Sequence, residues 1–175
     1  MFMKGIDTLS RLTSRAKGSS FWLWLLNRAL GWTIPFNRSH GFNLIEIGDD
    51  LIRATAPYKR ANHNHVRGIH ACAIATVAEF SAGFLLLTKL DPKRYRLIMS
   101  RIQVEYLYQA TEQIVSECSI LPEVLEKEIY KPLKEQESIT ITLKSRVSDL
   151  SGNEIAIAFT TWQVKPWDQV RTKLY

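Results

Sequence analysis

The sequence predicts an α+β domain in which an antiparallel sheet of about six strands wraps around one long central helix. The segment 69–87 is almost entirely apolar, carries Glu79 as its single charged residue, and is long enough for a buried helix. Two strand-like runs precede it and four follow it, each with alternating, β-branched or aromatic residues. With 175 residues, 46% of them hydrophobic and 23% charged, the chain suits one globular domain with a buried core.

The part of the chain before the central helix predicts a short helix followed by a β-hairpin. Residues 21–32 have a helical pattern, and Gly31 and Pro35 bring that helix to an end. Gly48 and the two aspartates after it form the turn of the hairpin. The strands of the hairpin are predicted at 42–47 and 51–59, the following loop at 60–69, and the central helix at 70–88.

The part after the central helix predicts four more strands and no second domain. Pro92 closes the helix. The strands are predicted at 96–108, 112–120, 138–148 and 155–164, with a short helix or loop at 122–133. No internal repeat or linker divides the chain. We therefore predict a single domain over 19–166, an N-terminal extension over 1–18 that is open to flexibility, and a C-terminal tail over 167–175.

The cysteines and the apolar runs indicate in which compartment the protein resides and whether it enters a membrane. Cys72 and Cys118 lie far apart and lack the paired spacing of a zinc or redox motif, which favours a reducing compartment, so we expect a cytoplasmic protein. The apolar run at 21–26 is too short to span a membrane. The longer run at 69–87 carries Glu79 near its middle, so we expect a core helix and no stable membrane insertion.

Positive charge collects on two parts of the chain. The net charge is +6, residues 1–40 hold six basic residues against one acid, and residues 51–70 hold four against none. Such a concentration attracts a polyanion such as coenzyme A, whose phosphates we expect near Lys59, Arg60 or Arg67. The alternative is that these basic residues lie on solvent-exposed faces of the protein and bind no ligand. No nucleic-acid-binding motif accompanies the charge, so we expect no nucleic acid partner.

Glu79 is the main candidate for chemistry. An isolated carboxylate in an apolar helix either finds a partner or has a raised pKa, and a general base requires a raised pKa. Glu79 follows His70 by nine residues, and that interval rotates the two side chains by about half a turn of helix. One chain therefore keeps them apart. A dimer that pairs the helices would place Asn64 and His70 of one chain opposite Glu79 of the other.

The intervals between Asn64, His70 and Glu79 carry a resemblance to a known family. Asn precedes His by six positions and an acid follows that His by nine, with Gly68 in the turn before a helix of small residues. In this respect the chain resembles the hotdog-fold acyl-coenzyme A thioesterases of the phenylacetyl-CoA type. The phrases Ile34-Pro-Phe-Asn-Arg and Asn64-His-Val-Arg-Gly-Ile-His-Ala are similar to those of an uncharacterised bacterial branch. The resemblance covers residues 21–165.

The resemblance implies roles for four residues. Glu79 would act as general base on water, or as a direct nucleophile, and Asn64 would position the water or the carbonyl. His70 would orient the loop or donate to the thioester oxygen, and the N–H of Ala71 would stabilise the oxyanion. The structural alternatives are a helix cap at His70, a loop-holding role for Asn64, and an arginine partner for Glu79.

The resemblance also implies the substrate and the assembly. The substrate would be an acyl-coenzyme A or an acyl-carrier protein, with coenzyme A as part of the substrate and no separate cofactor. The active form would be a homodimer that joins its sheets and shares two sites, with a tetramer as a further assembly. Gly68 would contact the substrate. Some family members also use a serine or threonine on the strand after the helix; Ser100 lies near that position, and Met99 is the alternative residue there. The family usually has two glycines at the positions of Ala71 and Cys72. The side chains at these two positions would keep a substrate farther from the backbone, which would narrow the substrate site or inactivate it.

Two other functions and two other kinds of site remain open. The chain could be a non-catalytic dimer that binds an acyl ligand, or a hotdog dehydratase or hydratase, whose His and acid fall at different intervals. His63, His65 and His70 form a weaker candidate metal site, because their spacing is loose and no further acid lies in the loop. Cys72 is a weaker candidate nucleophile.

Overall fold

One antiparallel sheet forms the body of the protein. The computed structural model describes residues 2–170, and of residues 2–6 the backbone alone. The strands are β1 (Asn43–Ile47), β2 (Leu51–Ala56), β3 (Tyr95–Tyr106), β4 (Ile114–Ser119), β5 (Ile139–Asp149) and β6 (Glu154–Pro166). Their order across the sheet is β1-β2-β4-β5-β6-β3. The six predicted strands are therefore confirmed, and β1 and β3 form the two edges.

Six α-helices accompany the sheet in the described part of the chain. They are α1 (Phe2–Ala16), α2 (Ser20–Thr33), α3 (Pro35–His40), α4 (Ala71–Lys89), α5 (Pro122–Leu125) and α6 (Pro132–Glu135). The helices predicted at 21–32 and 70–88 are confirmed as α2 and α4. Pro35 follows α2 as predicted, but it also opens α3, because proline fits the first turn of a helix.

The N-terminal segment is part of the packed structure. Within the extension predicted at 1–18, α1 packs against α2 and buries Leu12 and Ala16 in the core. Ion pairs hold α1 near both of its ends, since Lys17 pairs with Asp49 of the β1–β2 turn and Asp7 pairs with Lys93 before β3. At the other end of the chain, the predicted tail begins with a short 3-10 turn, and residues 171–175 lie outside the described residues.

Alternation along the strands explains why the sheet buries one face. In β5, every second residue from Ile139 to Val147 is buried and the residues between them are exposed. Central helix α4 covers this face and contacts five of the six strands. By length and composition α4 could cross a membrane, but most of it is buried inside the protein, as in a core helix.

A buried polar cluster joins α4 to the sheet. Ser81 Oγ of α4 lies 2.8 Å from Ser116 Oγ of β4 and 3.4 Å from Ser145 Oγ of β5. Both Ser81 and Ser145 also donate to the carbonyl of Ala78, at 3.0 and 3.1 Å. Each hydroxyl in this cluster is therefore satisfied, and the cluster fixes the position of α4 on the sheet. Burial raises the pKa of the neighbouring Cys118 thiol to about 11.

Candidate active site

Asn62 organises the loop that leads into α4. Its side chain is buried, and its Nδ2 donates to the carbonyls of His40 and Pro57, both at 2.9 Å. His40 Nδ1 donates to Asn62 Oδ1 at 2.8 Å, and the backbone N–H of His70 donates to the Asn62 carbonyl at 2.7 Å. The sequence analysis did not single out Asn62. The only signal was its position in the Asn-His-Asn-His stretch, two residues before Asn64.

Asn64 closes a tight turn with Gly68. Asn64 Oδ1 accepts from the N–H groups of Val66 and Gly68, at 3.1 and 2.9 Å. Gly68 is buried, and a Cβ there would lie 3.0 Å from the Gln109 side chain. Asn64 thus holds its loop, as the structural alternative proposed. Its side-chain NH2 makes no hydrogen bond with any described residue, so this donor remains available to a ligand.

The N-terminus of α4 combines a cap with a free donor. His70 Nδ1 accepts from the N–H of Cys72 at 3.1 Å, so His70 caps the helix. The N–H of Ala71 makes no hydrogen bond within the described part of the chain. Tyr106 Oη, at the end of β3, donates to the Ala71 carbonyl at 3.1 Å. An unused N–H at the positive end of a helix is a suitable donor to a developing oxyanion.

Glu79 lies near the middle of α4, and its side chain is partly buried. Burial raises the pKa of its carboxyl above the usual value. The carboxylate has no hydrogen bond or ion pair among the described residues, so the arginine partner considered from the sequence is absent there. A desolvated carboxylate without a cationic partner has the properties of a general base.

The sequence analysis missed Trp162, which lies beside Glu79. A Cβ on Gly83, one turn after Glu79, would lie 2.7 Å from Cη2 of Trp162 and 3.4 Å from Oε1 of Glu79. The glycine therefore lets the indole pack directly against α4. Trp162 is buried, and its Nε1 has no hydrogen-bond partner in the described chain. No sequence signal links a residue of β6 to the middle of α4, because the contact depends on the folded sheet.

The structure brings together the loop residues and keeps Glu79 apart from them. Asn64, Gly68, His70 and Ala71 lie within one loop and helix start, where a cavity of about 210 Å³ is lined by His63, His70 and Cys72 among others. Asn64, Gly68, Ala71 and Glu79 do not line this cavity. Glu79 stands nine residues beyond His70, which corresponds to roughly 13 Å along the helix axis. One chain thus separates the two halves of the predicted site.

The predicted substrate-binding cations lie around the same loop. Lys59 Nζ donates to the Ser39 carbonyl at 3.0 Å, while Arg60 and Arg67 are exposed. Arg67 has a φ of 61°, in the left-handed region that a non-glycine residue rarely adopts. Ser100 lies elsewhere, on edge strand β3 at the bulge in the pairing with β6, and its Oγ donates to the Thr161 carbonyl at 3.2 Å.

The weaker candidates from the sequence have ordinary surroundings. No group of three or more His, Cys, Asp or Glu residues in the described chain is placed to hold a metal ion. The ring of His63 packs against the ring of Tyr58, with 4.2 Å between centroids, and His70 caps α4. Cys72 is exposed at the helix start.

A larger cavity of about 900 Å³ lies at the C-terminal end of α4. Helix α1 forms one wall, the end of α4 the second, and the start of β3 the third. Most of the wall surface is apolar and comes from residues such as Leu9, Leu30, Phe84, Leu87, Tyr95 and Leu97. Charged side chains also line the cavity, at Lys17, Asp49, Lys89, Asp91 and Arg96. A volume of this size is at the upper end of the range for small-molecule sites. The sequence analysis did not predict this cavity, because it depends on the position of α1.

Comparisons with known proteins agree with the fold. Similar solved structures include a protein of unknown function and probable thioesterase from Pseudomonas aeruginosa, with 21% identity, 80% of this chain and 93% of that chain covered, and a TM-score of 0.73. A mutant thioesterase from the same species has 16% identity, coverage of 82% and 94%, and a TM-score of 0.66. A thioesterase from Haemophilus influenzae has 13% identity, coverage of 82% and 90%, and a TM-score of 0.66.

These likenesses show the fold, which is the thioesterase-like hotdog fold that the sequence resemblance implied. A search of the curated proteins finds no significant match. Residues 23–164 match the model of a family described as a domain of unknown function, DUF4442. This match covers most of the chain and excludes α1. The chain belongs to the DUF4442 family.

Proposed function

We propose that this protein is a hydrolase that cleaves the thioester of an acyl-coenzyme A or an acyl-carrier protein to a free acid and a thiol. The observation that carries the proposal is the Glu79 carboxylate, which is partly buried, has a raised pKa and lacks a described partner. The hotdog fold and the thioesterase names of similar structures support this class of reaction.

The chemistry follows from the available groups. Glu79 takes a proton from a water molecule as the water oxygen attacks the thioester carbonyl. The N–H of Ala71 donates to the oxyanion that forms, and the NH2 of Asn64 positions the water or the carbonyl. Collapse of the intermediate breaks the carbon–sulfur bond, and the thiolate leaves and takes up a proton. Lys59, Arg60 and Arg67 would contact the phosphates of coenzyme A.

The proposed active form is a homodimer, because Glu79 and the Ala71 end of α4 are separated within one chain. Edge strand β3 is 12 residues long and has β6 as its described neighbour on one side only. Ile98 and Tyr106 of this strand are large exposed side chains. A long edge strand is a template for pairing with another chain. Joining two sheets along β3 would let one chain supply Asn64, His70 and Ala71 and the other supply Glu79.

The cavity of about 900 Å³ at the C-terminal end of α4 is a suitable binding site for the acyl chain of the substrate. Glu79, Gly83 and Leu87 lie four residues apart on one side of α4, and Leu87 lines that cavity. The interval from Glu79 to Leu87 is about 12 Å along the helix axis. A chain that runs past the Trp162 indole would therefore reach the cavity. This arrangement supports an apolar acyl group as the substrate class.

Release of free thiol from short, long and aromatic acyl-coenzyme A esters tests the proposal. The native protein is compared with Glu79→Gln and with Glu154→Gln, which changes an exposed glutamate on β6 in the same way. We expect turnover in the native and control proteins and its loss in Glu79→Gln. Equal turnover in both variants would contradict the role of Glu79.

A non-catalytic acyl-ligand-binding dimer is the second candidate. Two observations favour it: the Asn64 and His70 acceptors are both used within the loop and the cap, and Ala71 and Cys72 stand where glycines are usual. The absence of turnover from every ester, together with binding of a non-hydrolysable S-alkyl-coenzyme A, would establish this function instead.

A further inference from the structure

Helix α2 has two apolar faces, and only one of them is packed. Leu26 and Leu30 are buried in the core. On the other side, Phe21 is 61% exposed, Trp24 58% and Trp32 70%. Trp24 follows Phe21 by three residues, and Trp32 follows Trp24 by eight with Arg28 between them, so the three rings lie on one side of α2.

Helix α3, which packs against α2, adds a further exposed aromatic ring, Phe36, which is 54% exposed. We call Phe21, Trp24, Trp32 and Phe36 the aromatic face. Soluble proteins rarely leave a contiguous patch of large apolar side chains in water without a partner.

Four exposed arginines accompany the aromatic face: Arg11, Arg15, Arg28 and Arg38. None of them forms an ion pair with a described residue. The Arg15 guanidinium lies 4.6 Å from the centroid of the Trp22 ring, and that of Arg38 lies 4.9 Å from the centroid of Trp32. Arg38 therefore contacts a ring of the aromatic face, and Arg28 lies four residues from both Trp24 and Trp32 on α2.

The same region lacks negative charge. Residues 1–40 contain one acid, Asp7, which pairs with Lys93 on a different part of the protein. The surface is thus apolar and basic together. Tryptophan and phenylalanine favour the interface between lipid and water, and arginine binds phosphate groups in that zone.

We propose that the aromatic face docks this protein on the surface of an anionic lipid bilayer. Helix α2, with 14 residues, is about 21 Å long, too short to span the hydrocarbon core, so it lies in the plane of the interface. The rings enter the headgroup region and the arginines contact lipid phosphates. This contact is peripheral and adds no spanning segment.

Pairing of two chains along β3 leaves the aromatic face uncovered. Helix α2 packs against α1, α3 and β1, and β1 is the edge of the sheet opposite β3. The docking surface and the expected dimer edge are therefore at different places. Phe36 also lines the cavity of about 210 Å³ beside the candidate active site, whereas Phe21, Trp24 and Trp32 do not.

Cosedimentation with vesicles tests the proposal. One set of vesicles contains phosphatidylcholine alone, and the other contains phosphatidylcholine with phosphatidylserine. We expect the full-length protein to bind the anionic vesicles at least about tenfold more tightly, and high salt to weaken that binding.

Two double variants separate the aromatic and electrostatic contributions. We expect Trp24→Ser with Trp32→Ser to lose at least about tenfold in affinity for the anionic vesicles, and Arg28→Glu with Arg38→Glu to lose at least as much. Leu150→Ser and Arg94→Glu are the matched controls, since both change exposed residues outside α2 and α3. They should bind like the native protein.

Three results would overturn the proposal. One is the absence of binding to the anionic vesicles by native protein. The second is equal binding by the controls and the double variants. The third is a tryptophan double variant that binds the vesicles like the native protein but has a lower oligomeric mass in solution. The aromatic face would then be an interface between copies of the chain. Circular dichroism and thermal melting confirm that each variant is folded.

Discussion

The two halves of α4 differ in how they are built and in what they can bind. The N-terminal half begins in a loop where Asn62, Asn64 and His70 use hydrogen bonds to fix their positions. The C-terminal half borders a cavity of about 900 Å³ whose wall is mainly apolar. One helix thus has a polar end suited to the thioester and an apolar end suited to the acyl chain.

The two ends of α4 differ because hydrogen bonds make the polar end rigid, whereas the packing of α1 encloses the cavity at the apolar end. At the polar end, the constraints on Asn64 and His70 leave two donors unused among the described residues, namely the Asn64 NH2 and the Ala71 N–H. At the apolar end, α1 forms one wall of the cavity, and ion pairs attach it to Asp49 and Lys93. Glu79 lies between the two ends, and in the proposed dimer it would act together with the polar end of α4 from the other chain.

The largest expected effect is on turnover. Glu79→Gln should lower kcat by about 10² to 10⁴, the usual contribution of a general base. Burial raises the pKa of Glu79, and the base acts when deprotonated. Activity of the native protein should therefore rise with pH through a midpoint above the ordinary range of glutamate. A pH profile of kcat/KM checks this, and a midpoint at or below that range would exclude Glu79 as the base.

The next effect is on stability at the polar end. Asn62→Ala removes three side-chain hydrogen bonds from a buried position and should lower the free energy of unfolding by about 3 kcal/mol. Asn43→Ala, at an exposed site with one such bond to Gly41, should change it by less than about 1 kcal/mol. Urea unfolding of the two variants measures the difference. Equal values would show that the loop does not depend on Asn62.

A smaller effect is expected at the apolar end. Ser10 lines the cavity from α1, and a tryptophan there should fill part of it. Ser10→Trp should lower kcat/KM for long-chain esters by about tenfold and leave short-chain esters nearly unchanged, since each buried methylene contributes about 0.8 kcal/mol. Ser20→Trp, exposed and outside the cavity lining, is the control. An unchanged preference for chain length in a folded Ser10→Trp would place the acyl chain elsewhere.

The smallest expected effect concerns the stability contributed by Glu79 itself. Its raised pKa means that the folded protein holds the proton more tightly than the unfolded chain, so stability falls as pH rises through that pKa. Glu79→Gln should therefore be more stable than the native protein at neutral pH. The difference should disappear at about pH 3, more than one unit below the ordinary pKa of glutamate, where Glu79 is protonated in both states. Thermal melting at the two pH values gives the sign, and a less stable variant at neutral pH would mean that Glu79 has a partner.

The sheet and α4 were predictable because their signals are local. Alternation at 139–147 reports one buried face, and an apolar run with a single charge reports a core helix. The separation of His70 from Glu79 was predictable for the same reason, because it follows from helix geometry alone. The match to the family covers this part of the chain.

The remaining features depend on contacts between distant segments. Helix α1 is rich in serine and threonine, and its burial of Leu12 and Ala16 becomes visible only when it packs on α2. Trp162 reaches Gly83 from a strand far along the chain, so no spacing announces it. The same holds for Asn62, whose partners His40 and Pro57 lie on both sides of a hairpin.

The central claim is that each active site is shared between two chains, and mixing two inactive variants tests it most directly. Asn64→Asp keeps the Oδ1 acceptor of the loop and removes the NH2 donor, while Glu79→Gln removes the base. In a mixed dimer of these chains, one site contains an intact Asn64 and an intact Glu79. Unfolding and refolding an equal mixture should restore about one quarter of native thioesterase activity, as expected for random pairing in a symmetric dimer. A mixture that forms dimers and stays as inactive as its two components would contradict a shared site.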